Sequence, residues 1–230
     1  MVIKFYINKS EVLRYLKYSG EEVDKITNDL INECIEEIKA DKNANFVFNI
    51  FDISKSHNKI YVEDSTLIFR GKDIYNHLKS SEKCAIMAST LGSGIDKKIR
   101  YYSKVDLTKS IVMDACATAA IESLCDETEK IIKKIAAQEG FNITFRYSPG
   151  YGDFSIDIQP EIIKVLNAHR QIGLTVTNNY MLVPRKSVTA VIGFCRNEVS
   201  SKSMGCRDCS SYKNCVYVKK GDQCGLKRTN

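Results

Sequence analysis

The chain of 230 residues has no tryptophan, only three prolines and only three histidines. Without Trp, a core must be built from Ile, Leu, Val, Phe and Tyr. So few prolines, with twelve glycines, exclude a collagenous or low-complexity chain. No apolar run approaches the ~20 residues needed to span a bilayer. The opening segment, MVIKFYINKSEVLRYLKYSG, lacks an apolar stretch ending in a small-residue cleavage site. The expected location is therefore the cytoplasm, with no membrane partner. The composition, 43% hydrophobic and 27% charged, is that of a globular chain. At this length folding can bury about 70% of the unfolded surface, enough for a core without covalent staples.

What is present in excess is local. The net charge is +6 and there are nine cysteines. Residues 201–230 hold seven basic residues against two acidic ones, so +5 of that charge lies there. Four of the nine cysteines lie there too. This composition shift places a boundary near Glu198, dividing a near-neutral body (1–198) from a basic, cysteine-rich tail (199–230).

Within the body, hydrophobic periodicity predicts the elements. Residues 1–7 read as a strand, and Ser10 as the cap of a short helix reaching Tyr18. Helical spacing runs through 21–40; β-branched and aromatic runs mark strands at 45–53, 59–62 and 66–69. A helix is expected at 73–81, a buried strand at 84–92 ending in the loop Leu91-Gly92-Ser93-Gly94, and a helix from Ile95 to Ser103. That loop lacks the further glycine and downstream acid of a dinucleotide fingerprint, so it reads as a strand-to-helix turn. Residues 107–138 contain neither Pro nor Gly and form one helical pattern nearly 50 Å long, at ~1.5 Å per residue. Its middle, ACATAA (115–120), is small on every side, so neighbours can pack closely. A strand at 141–147, a helix at 160–170 and strands near 172–177 and 187–195 complete the body. The order β-α-α-β-β-β-α-β-α-α-β-α-β-β is not a regular βαβ alternation. It predicts an α+β fold, a mainly antiparallel twisted sheet with packed helices, one of them long and central.

The segment Arg146-Tyr-Ser-Pro-Gly-Tyr-Gly-Asp153, following a strand, is the strongest chemical feature of the body. Pro149-Gly150 suits a type II turn. An Arg at the strand end can grip a carboxylate with its fork, Gly150 lets a ligand approach the backbone, and a Tyr can stack on a planar ring. An ordinary turn with a solvated Arg fits the same residues. A second segment, Ile172-Gly-Leu-Thr-Val-Thr followed by Tyr180-Met-Leu-Val-Pro-Arg-Lys-Ser187-Val, joins two apolar runs through an X-Pro turn.

Together these segments resemble the activation domain of vitamin B12-dependent methionine synthase, in its short, stand-alone form. The family pattern is Arg-x-x-x-Gly-Tyr, then a Gly followed by Leu-Thr, then a Met shortly before Pro-x-x-Ser-Val. Arg146, Gly150 and Tyr151 meet it, as do Gly173, Leu174 and Thr175, and Met181, Pro184, Ser187 and Val188. Gly173 abuts Leu174 where the family usually has residues between. The Thr-Leu-Gly loop at 90–92 and the small-residue helix ending in Glu122 are similar too, so the resemblance spans about residues 80–195.

The resemblance implies binding of S-adenosylmethionine and a part in corrinoid repair. Cobalt oxidised to cob(II)alamin is returned to methylcobalamin by one electron and a methyl group from S-adenosylmethionine. Arg146 would take the ligand's carboxylate, backbone near Ser148 and Gly150 its polar edges, and Tyr151 would lie toward the corrin. Glu122 is the candidate acidic neighbour for the sulfonium and α-amino group; a surface Glu paired with a Lys is the alternative. The corrinoid-binding Asp-x-His-x-x-Gly motif is missing, since His57, His77 and His169 all lack that frame, and each imidazole reads as surface or packed. The implied partners are a cobalamin-carrying chain, or methionine synthase modules, and a flavodoxin-like reductant. The implied role is an accessory subunit in methyl transfer.

In the tail, Cys206-x2-Cys209-x5-Cys215-x8-Cys224 groups four thiolates that can hold zinc or an iron–sulfur cluster. The spacing matches no standard finger or ferredoxin, and a reduced tail without metal is the alternative. The rival function is thus an electron-transfer activator of a corrinoid protein. A nucleic-acid grip by the basic tail ranks last, because aromatic interleaving is slight. The five remaining cysteines read as core residues, Cys116 and Cys125 lying half a turn out of phase on one helix.

Overall fold

The computed structural model describes residues 5–18 and 23–196. The tail, its four cysteines and the boundary at Glu198 lie outside the described residues, as does most of the predicted strand at 1–7. Phe5–Ile7 form no strand, although Ile7 is buried in the core.

Helix α1 (Lys9–Tyr15) is capped by Asn8, not by Ser10. The Asn8 carboxamide oxygen accepts from both the backbone N–H and the hydroxyl of Ser10, which starts the helix earlier than predicted. In α2 (Lys25–Ala40) the N-cap is Asp24, whose carboxylate accepts from Thr27 N–H at 2.9 Å. Strands β1 (Asn45–Ser56), β2 (Lys59–Val62) and β3 (Ile68–Arg70) form a meander. Then come α3 (Lys72–Leu78), β4 (Lys83–Thr90), α4 (Ser93–Val105) and α5 (Leu107–Gln138). The long helix has the predicted limits, with Asp106 as its cap.

The edge strand β5 (Asn142–Ile143) is much shorter than the predicted 141–147. The single helix expected at 160–170 is two: α6 (Gln159–Val165) and α7 (Ala168–Ile172). Asn167, at φ 49°, breaks them apart, since Asn tolerates left-handed backbone better than most residues. A small hairpin of β6 (Thr175–Val176) and β7 (Leu182–Val183) precedes β8 (Ser187–Cys195).

The main sheet has the order β3-β2-β1-β4-β8-β5, antiparallel throughout, so the fold is α+β as predicted. Its centre, β4 against β8, runs in register from Lys83↔Phe194 to Thr90↔Ser187. Both strands are buried on two faces, which their continuous apolar runs reflect. Alternation divides them. Ala85, Met87, Ala190, Ile192 and Phe194 pack with α1, α2 and α5, whereas Cys84, Ile86, Ala88 and Val191 pack toward α3, α6 and α7. On α5 the small residues Ala115, Cys116, Ala117, Ala119 and Ala120 are all buried. Cys34, Cys84, Cys116, Cys125 and Cys195 are buried free thiols, as expected of core cysteines.

Candidate functional site

The site begins with an irregularity at the sheet edge. Ile143 pairs with Phe194, and pairing resumes at Tyr147 with Val191. Four steps along the edge thus match three along β8, which is a bulge of one residue. Thr144 fills it: its backbone N–H donates to Gly193 O at 2.8 Å, and its hydroxyl accepts from Gly193 N–H at 2.7 Å. The same hydroxyl lies 2.9 Å from His77 Nε2 on α3. One extra residue reverses the alternation beyond it. Phe145 and Tyr147 therefore pack on the α3 side, and Arg146 is sent to the opposite face, against α5.

There Arg146 meets three carboxylates on one stripe of α5, at positions i, i+4 and i+7. Nη1 donates to Glu129 at 2.6 Å, and Nη2 to Asp126 at 2.8 Å and to Glu122 at 3.4 Å. The Arg146 side chain is only 13% exposed, whereas the carboxylates remain about one-third exposed. Arg146 is thus no solvated turn residue. Burial works to lower its pKa, but the neighbouring Cys125, Glu129 and Asp126 outweigh it and hold the guanidinium above its ordinary value. Cys125 lies beneath, its thiol pushed up to about 12 by burial.

One residue on, the chain turns. Ser148 O accepts from Tyr151 N–H, Gly150 N–H donates to Phe154 O at 2.7 Å, and Phe154 N–H donates to Tyr151 O. Gly150 has the positive φ expected of it, 94°. Tyr151 is 48% exposed, its ring edge-on to Tyr147 at 5.9 Å. Tyr147 packs against His77, with ring centres 4.9 Å apart. Burial lowers the His77 pKa to about 4, so the imidazole is neutral at pH 7.

Arg146 and Glu122, singled out from the sequence, are therefore in contact, and Ser148, Gly150 and Tyr151 share the turn that follows. Sequence reasoning missed Asp126 and Glu129. Their helical spacing from Glu122 was the available signal, whereas nothing local marked the bulge that brings Arg146 to them. A second polar junction, also missed, ties the X-Pro turn to α5: Lys186 Nζ contacts Asp114 at 3.0 Å and the Thr118 hydroxyl at 2.8 Å. Among the described residues no His, Cys, Asp and Glu cluster could hold a metal ion, and no helix is long and apolar enough to cross a membrane.

The family model for the activation domain of vitamin B12 dependent methionine synthase matches residues 72–205, more than half the chain. The protein belongs to that family. The match covers α3 through β8, and so the bulge, the Arg146 cluster and the turn. The fold is also that of a crystal structure of the MetH reactivation domain bound to AdoHcy, with a TM-score of 0.64. That alignment covers 92% of this chain and 80% of the other at 13% identity, a likeness of fold. No curated protein matches the sequence.

Proposed function

We propose that this activation-domain protein binds S-adenosylmethionine beside Arg146 and serves the reductive remethylation of a cobalamin-dependent methyltransferase. The observation that carries the reading is the Arg146–Glu122–Asp126–Glu129 cluster next to the turn Ser148–Tyr151, which is exposed at Gly150 and Tyr151. S-adenosylmethionine combines a carboxylate with two cationic groups, the ammonium and the sulfonium. A buried guanidinium among partly exposed carboxylates offers complementary charge to both kinds of group within one helix stripe. Arg146 takes the ligand's carboxylate, and Glu122 and its neighbours favour its cations. Backbone at Ser148 and Gly150 meets the polar edges, and Tyr151 covers the side toward the corrin. The relative with AdoHcy bound supports this class of ligand.

The residues of this chain bind and orient; the cobalt and the electron come from partners. A partner's cobalamin would supply the methyl-accepting chemistry, and Arg146, Glu122 and the Ser148–Tyr151 turn would hold the methyl donor and orient it for transfer. The partners are a cobalamin-carrying chain and a flavodoxin-like reductant.

Calorimetry with S-adenosylmethionine tests the reading. Wild type should bind, and Arg146→Ala should weaken binding roughly 10- to 100-fold, the range of a lost charge-assisted hydrogen bond. Arg146→Lys should recover only part, because an ammonium lacks the fork. A well-folded wild type that does not bind refutes the ligand assignment.

The spacing of Cys206, Cys209, Cys215 and Cys224 supports a second reading, in which the tail holds an iron–sulfur cluster that delivers the electron; zinc held there would be structural. Iron and acid-labile sulfide after anaerobic purification would favour it; a colourless, metal-free protein would exclude it.

A further inference from the structure

The motif around the turn continues into Gly152 and Asp153, which the ligand reading leaves unused. The Asp153 carboxylate crosses to α3, accepting from Lys72 N–H at 2.6 Å and from Asp73 N–H at 2.9 Å. The contact is reciprocal, as Asp73 Oδ2 accepts from Asp153 N–H at 3.3 Å. The α3 N-cap position, Gly71, has no side chain to cap the helix, so a residue 80 positions away supplies that cap.

The approach is so close that no β-carbon fits on either side. One added at Gly152 would stand 2.1 Å from Asp73 Oδ2 and 2.9 Å from the Tyr147 hydroxyl, and one at Gly71 2.6 Å from Asp153 Oδ1. Tyr147 closes the ring from inside, its hydroxyl donating to Tyr151 O at 3.4 Å. Further along α3, His77 holds the Thr144 hydroxyl in the bulge. The short helix therefore grips the 144–153 segment at both ends, behind Arg146 and behind the turn.

We propose that Asp153 is a positioning residue: bonded to the α3 backbone, it holds Ser148–Tyr151 in the shape that receives the ligand. This rests on the ligand reading above and adds that affinity is set partly by a carboxylate whose partners are backbone N–H groups of α3.

The experiment uses the full chain with Asp153→Ala and Asp153→Asn, and S-adenosylhomocysteine as probe. Hydrogen exchange of the free protein should show the Gly150, Tyr151 and Phe154 amides exchanging at least tenfold faster in Asp153→Ala. Calorimetry should show its Kd raised about tenfold, with the melting temperature of the whole protein lowered by only a few degrees. Asp153→Asn keeps one acceptor oxygen and should fall between on both readouts. Wild-type exchange and wild-type Kd in a folded Asp153→Ala overturn the proposal. So does a variant that loses melting temperature while its folded fraction binds as wild type, since that is a purely structural role. If the wild type fails to bind the probe, the ligand reading falls, whereas the exchange rates still decide whether Asp153 shapes the turn.

Discussion

Two side chains at the sheet edge are held in charge states that their burial would not suggest alike. Arg146 is a buried cation balanced by the carboxylates around it, whereas burial beside Thr144, Phe145 and Tyr147 holds His77 neutral. For His77 the consequence is measurable. Its pKa is about 4 in the folded protein and ~6.5 unfolded. Between these values the unfolded chain takes up a proton that the native state refuses, so stability present above pH 6.5 is lost as pH falls toward 4. The loss should reach about 3 kcal/mol. Urea titrations of wild type and His77→Gln across pH 4.5–7.5 should show this slope shrinking in the variant; parallel curves would refute it.

At the scale of elements, the bulge is the device that aims Arg146. Thr144→Val keeps the shape but removes the hydroxyl that receives the buried Gly193 N–H. The expected cost is about 1–3 kcal/mol of stability, read from denaturant midpoints, with weaker S-adenosylmethionine binding if the bulge shifts. The small-residue stretch of α5 makes a complementary demand. Ala120 is fully buried between the sheet and the helical layer. Ala120→Leu should destabilise by roughly 1–3 kcal/mol through overpacking, measured the same way, whereas leucine at the exposed Lys133 should be nearly neutral.

At the scale of the whole molecule, the folded body and the cysteine-rich tail are proposed to be separable. Truncation after Glu198 should leave thermal unfolding and S-adenosylmethionine affinity unchanged, because the described core closes with β8 at Cys195. The same truncation should remove any bound zinc or iron, measured by elemental analysis. Retention of stoichiometric metal by the truncated chain would contradict the assignment to the tail.

Much of this protein could be read from its sequence, because periodicity and breakers act locally. The α5 limits follow from Asp106 and the lack of Pro or Gly up to Gln138, and the paired apolar runs of β4 and β8 from their burial on both faces. The Arg-x-x-x-Gly-Tyr motif led to the family, and Glu122 was singled out as the acidic neighbour. What the sequence left open depends on pairing between distant segments. The edge strand read as seven regular residues, yet only two pair before Thr144 enters the ladder and reverses the alternation. That reversal decides which face Arg146 meets, and so which carboxylates surround it. The cap that Asp153 gives α3 likewise joins residues 80 apart. Local chemistry determined the elements and supplied the functional groups, but their convergence was decided by register across the sheet. One residue more or less in a strand sends every later side chain to the other face.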